Sequence, residues 1–90
     1  MKQFSPEWIA AYYDGILGFT SLYQEWIQDE PEMSDLGNFM DEFSKEVPLL
    51  KLDRWFGYVQ GILIERGFTT VEEERDRTRS TFRPLDFADA

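Results

Sequence analysis

The stretch RWFGYVQGILIERGFTTVEEERD, residues 54–76, writes one helix, its stop and the start of another into a single block. Trp55, Phe56, Val59, Ile62 and Leu63 recur at the three- and four-residue spacing of one helical face. Gly67 follows as a left-handed stop, and Asp53 precedes as an N-cap, so the spacing predicts a helix over 54–66. Thr69 to Glu72, or Thr70 to Glu73, has the spacing of a capping box and restarts the chain as a helix over about 71–79. Gly57 and Gly61 stand one turn apart, where the backbone of a neighbouring helix is expected to approach closely. Val71 is the single apolar position of the restarted segment, which is therefore expected to project or to pack by its arginine stems.

Upstream, Ser5-Pro6-Glu7 combines a cap, a first-turn proline and an acid at the positive end of the helix dipole. The helix it opens reaches to about Gln28. Glu7, Ala11, Asp14, Gly18, Ser21, Glu25 and Gln28 fall on one narrow polar face, and nearly everything else is apolar. An apolar sector that wide exceeds what a peripheral helix needs, so this helix is either central or covered by another chain. The segment DEPEMSD then reads as a loop, with Ser34 capping a second helix of about 35–46 that Pro48 ends. Leu36, Phe39, Met40, Phe43 and Val47 form its apolar stripe. The fold expected is all-α: a compact bundle of three main helices plus a short fourth over residues 1–80. An extended C-terminal tail, 81–90, carries Phe82, Leu85 and Phe87.

Composition narrows the chemistry. The chain has no cysteine and no histidine, which removes disulfides, thiolate-metal sites and the usual near-neutral acid-base group. The N-terminal stretch lacks a continuous apolar region, because Glu7 and Asp14 interrupt it, so a signal peptide is not expected. WFGYVQGILI is too short for a membrane span, and a soluble, intracellular chain follows as the expectation. Net charge is −9. Residues 1–46 hold two basic and ten acidic side chains against seven and eight in residues 47–90, so the acidity belongs to the first half. Direct binding to nucleic acid would be repelled there.

Three sets of residues are candidates for function. Asp29, Glu30, Glu32, Asp35, Asp41, Glu42 and Glu46 form an acidic surface that either solubilises the domain or imitates duplex DNA, which carries about one charge per 1.7 Å of axis. Calcium binding is a poorer reading, because DEPEMSD lacks the ligand spacing and turn glycine of an EF-hand loop. Arg75, Arg77, Arg79 and Arg83 are interleaved with Glu72, Glu73, Glu74 and Asp76, and are expected to neutralise one another along an exposed helix. Trp8, Tyr12, Tyr13, Tyr23 and Trp26 are expected to form a partner or oligomer interface, since the core of so short a chain cannot hide fifteen aromatic residues.

The block Arg54-Trp55-Phe56-Gly57-Tyr58-Val59-Gln60-Gly61, followed by Gly67-Phe68-Thr69-Thr70-Val71-Glu72-Glu73-Glu74-Arg75-Asp76, resembles a pattern in small accessory proteins of bacteriophages and prophages. There an Arg-Trp-x-Gly-x-x-Gln-Gly helix precedes a Thr-Val/Ile-Asp/Glu helix start. The resemblance brings no activity with it; it implies a mobile-element setting and the cytoplasm of a bacterial host. The expectation is a non-enzymatic protein that binds and inhibits a host protein with a basic surface, such as a CRISPR, restriction or other nucleic-acid-handling component. It would act by steric occlusion or nucleic-acid mimicry. The alternative is an assembly protein that forms a homo-oligomer, in the simplest case a homodimer, through its first helix. A magnesium-dependent nucleotide pyrophosphatase is remote, because Glu32-xx-Asp35 adjoins Pro31 and Glu73-xx-Asp76 stands among arginines. No catalytic residue, metal ligand or cofactor is assigned.

Overall fold

A computed structural model of the chain describes residues 5–86. Helix α1 spans Pro6–Ile27, α2 Ser34–Met40, α3 Leu49–Glu65 and α4 Val71–Asp86, with a single 3-10 turn at Pro31–Met33 inside the expected loop. The chain is an all-α bundle.

The first helix starts as its sequence dictates: Ser5 Oγ accepts from Trp8 N–H at 3.0 Å, with Pro6 in the first turn. Its polar positions Glu7, Asp14, Gly18, Ser21, Glu25 and Gln28 face outward, while Ile16, Thr20, Tyr23 and Ile27 are buried. The wide apolar sector has a simple use. Helices α2, α3 and α4 all pack against α1, so α1 is the central element of the two positions its sequence allowed.

Helix α2 ends at Met40, earlier than the expected 46. Asp41, Glu42 and Glu46 would extend it with three acids at its negative end, where the helix dipole opposes them. Turns take over instead. Gln24 Nε2 donates to Asp41 Oδ1 at 2.8 Å, Ser44 Oγ accepts from Glu46 N–H at 3.2 Å, and Phe43 stays buried without being helical. Ser34, expected as the cap, is the first residue of the helix and makes no capping bond.

Helix α3 begins a turn earlier than expected, after Pro48, and Asp53 lies inside it rather than at its cap. The reason is visible in the leucines: Leu52 continues the buried row Phe56, Val59 and Leu63 one turn backward. Gly67 closes the helix with φ +84°, the left-handed conformation for which glycine is suited, and Phe68 N–H returns to Leu63 O at 2.9 Å.

The largest departure concerns α4. Sequence placed a short helix and then a tail from residue 81, whereas the helix continues through Pro84 to Asp86; residues 87–90, with Phe87, lie outside the described residues. A proline inside a helix removes one backbone hydrogen bond and crowds the carbonyl four residues earlier. Packing on both sides of Pro84 outweighs that loss. Phe82 is 7% exposed and meets the rings of Tyr12, Phe19 and Phe56, and the Trp8 indole N–H donates to Leu85 O. Nor does α4 project. Val71, the one apolar residue of the segment 71–79, is 52% exposed, while Glu74 is 4% exposed.

Candidate interaction surfaces and the polar centre

Glu74 faces inward because four donors meet it there. Thr70, rather than Thr69, caps α4, its Oγ1 accepting from Glu73 N–H at 3.1 Å. That cap sets the helix register, and one residue further on the Glu74 carboxylate points at α1 and α3. Its Oε1 accepts from Tyr23 O–H and from Gln60 Nε2 at 3.2 Å; its Oε2 accepts from Thr69 Oγ1 at 2.9 Å and pairs with Arg77. Arg77 in turn lies over the Trp26 ring, 5.1 Å from its centroid. Among the described residues no buried side-chain polar atom lacks a hydrogen-bond partner. A buried carboxylate so fully satisfied joins three helices and fixes their relative positions. Burial first, then the bond to Glu74, holds the Tyr23 hydroxyl proton well above the ordinary phenol range.

The aromatic set expected at an interface is largely spent inside the chain. Tyr23 is 0% exposed, which removes it as a partner contact. The Tyr13 hydroxyl donates to Val47 O and the Trp8 indole N–H to Leu85 O, Tyr12 lies tilted against the rings of Trp8 and Phe82, and Trp26 packs on Tyr23. These four are half-buried rather than open. One central helix with neighbours on three sides hides more aromatic surface than the length of the chain suggests.

The acidic set remains at the surface: Glu30 is half-buried, and the other six are exposed. It does not form one cluster. Asp29, Glu30 and Asp41 line a cleft of ≈ 490 Å³ between the end of α1 and α2. Glu32 and Asp35 line another of ≈ 430 Å³ on the other side of α2, with Phe39, Tyr58 and Arg66. Glu42 and Glu46 lie in neither. Lys45 is the one basic residue in this segment, and its Nζ is 3.0 Å from Asp14 Oδ1 on α1.

The arginines behave differently from expectation. Arg77 pairs with Glu74, but Arg75 and Arg79 have no ion pair among the described residues. With Arg83 they line a groove of ≈ 570 Å³ between α3 and α4, whose other walls include Tyr12, Gly57 and Asp53. Gly57 and Gly61 are not points of close approach: a Cβ at either would meet nothing within 4 Å. Close approach occurs at Gly15 of α1 instead, where a Cβ would stand 2.7 Å from Phe82 Cε1. The signal for the groove was present in sequence as arginines four residues apart, but their interleaved acids suggested mutual neutralisation. Glu74 turns inward and pairs with Arg77, while Glu72, Glu73 and Asp76 stay exposed without an ion pair to Arg75 or Arg79.

Among the described residues no group of three or more acidic side chains is placed to hold a metal ion, and no helix is long and apolar enough to cross a membrane. The chain matches no protein-family model, no curated protein and no solved structure.

Proposed function

We propose that this chain is a binding protein whose acidic segment, residues 29–46, occupies a basic surface of a partner protein. In the setting that the phage-like sequence block suggests, it inhibits a host protein that handles nucleic acid, by occlusion or charge mimicry. The observation that carries the reading is the state of those carboxylates. Six of the seven are exposed in a segment whose only basic residue is already paired with Asp14.

Unneutralised charge of one sign on an ordered scaffold produces a field that steers a basic partner and penalises an acidic one. The scaffold is ordered by bonds from α1 at both ends of the turn region: Gln24 to Asp41 and Tyr13 to Val47. Carboxylates held this way lose less freedom on binding than carboxylates on a loose tail.

Capture experiments test it. The tagged chain is expected to retain a basic host protein at low salt and to release it as salt rises, as screening shortens the reach of the field. The triple variant Asp41→Asn, Glu42→Gln, Glu46→Gln should retain much less while keeping its helical signal. Retention that is indifferent to both salt and the triple substitution rules this reading out.

A further inference from the structure

We propose that the groove between α3 and α4 binds a small phosphorylated ligand, with its phosphate on Arg75 and Arg79. This site is separate from the acidic segment and does not depend on the reading given for it.

The first argument is charge. In a chain of net charge −9, Arg75 and Arg79 stand on one face of α4 with no ion pair among the described residues, and both line the groove. Residues four apart rise about 6 Å along a helix, so two guanidinium groups can reach one group between them. A phosphate has the acceptor oxygens and the double charge to engage both.

The second argument is shape. A volume of ≈ 570 Å³ falls within the range of small-molecule sites, roughly 300–1,000 Å³. Gly57 opens the wall on the α3 side. Within a helix interior a glycine is destabilising by about 0.5–1 kcal/mol relative to alanine. At residue 57 no neighbour needs the space, since an added Cβ meets nothing within 4 Å. What the missing side chain provides is room in the groove.

Charge also selects the size of the ligand. Screening limits electrostatic reach to about 8 Å at physiological ionic strength. A small phosphate ester inside the groove senses the arginines, while a long polyanion would extend over a surface that is acidic elsewhere. Nucleic acid is therefore disfavoured.

Isothermal titration calorimetry on the full chain tests the assignment, with pyrophosphate, adenosine triphosphate, adenosine and a single-stranded oligonucleotide as probes. Pyrophosphate and the triphosphate are expected to bind and adenosine not to. Arg75→Gln and Arg79→Gln should each weaken the triphosphate by about tenfold or more, the loss of a charge-assisted contact. Gly57→Leu should weaken it while retaining the helical signal, because the new side chain enters the groove and displaces no neighbour. Arg66→Gln, on the other side of the bundle, should leave binding unchanged, as should the triple acidic variant. The assignment is overturned by any of four results: no binding of either phosphate compound, equal binding of adenosine, tighter binding of the oligonucleotide, or affinities that ignore Arg75 and Arg79. It is also overturned if Arg79→Gln converts a dimer to a monomer in light scattering, which would make the groove an interface between copies.

Discussion

The phenol of Tyr23 on α1 donates its hydrogen bond to the buried carboxylate of Glu74 on α4. Residues 51 positions apart in sequence are thereby joined at the centre of the bundle, beside Gln60 of α3. Bonds to a charged acceptor in such a place contribute about 1.5–3 kcal/mol, and an acceptor left short of donors is penalised further.

Tyr23→Phe is accordingly expected to lower the free energy of unfolding by about 2 kcal/mol, and Glu74→Leu by a similar or larger amount because Arg77 then loses its partner. Urea denaturation of the two single variants and the double variant measures this. Coupling should be evident, with the double variant destabilised by clearly less than the two singles together. Strict additivity would show that the bond contributes nothing of its own.

Alkaline stability follows from the same contact. Burial and the Glu74 carboxylate raise the Tyr23 pKa above its ordinary 10.0. The folded chain then holds a proton that the unfolded chain gives up, so stability is fully present below pH 10.0 and falls as pH rises through the interval up to the raised value. Tyrosinate absorbance should show one tyrosine ionising together with unfolding, and Tyr23→Phe should flatten the decline. Tyr23 ionised near pH 10.0 in a chain still folded would contradict this.

Glycine substitutions are expected to divide by sign. Gly57→Ala and Gly61→Ala should stabilise by about 0.5–1 kcal/mol, since alanine favours the helix and meets no neighbour. Gly15→Ala should destabilise by about 1–2 kcal/mol, because its Cβ would collide with a Phe82 ring held among Tyr12, Phe19 and Phe56. Thermal unfolding of the three variants decides it, and a Gly15→Ala chain as stable as Gly57→Ala would disprove the close packing.

On α4 the buried and exposed apolar residues separate in the same way. Phe82→Ala should cost about 3–4 kcal/mol and increase amide exchange over the last turns of the helix, where the contact offsets the defect at Pro84. Val71→Gln, at an exposed site, should change stability by less than about 0.5 kcal/mol. Comparable losses at the two positions would argue against the docking of α4 on α1.

Local rules written in the sequence account for much of this bundle. Ser5-Pro6 and Gly67 act through neighbours within five residues, so the start of α1 and the end of α3 could be read directly, while the cap of α4 was narrowed to Thr69 or Thr70. The polar face of α1 was equally legible, because a 3.6-residue period carries its own direction. Exposure of the acidic segment followed from the cost of burying so many unpaired charges.

Tertiary structure decided the rest. Pro84 reads as a breaker until Phe82 and Leu85 are seen to be held by α1, and Glu74 reads as a surface acid until donors from three elements surround it. The arginine groove has the same origin, since the packing of α4 decides that Arg75 and Arg79 line a groove beside α3 rather than pair with the acids of their own helix. Sequence by itself determined that this chain is helical, acidic in its first half and led by a helix with an unusually wide apolar sector. Which helix faces which, and so which charges are free to act, depends on contacts between residues far apart in the chain, where no local periodicity records the partner.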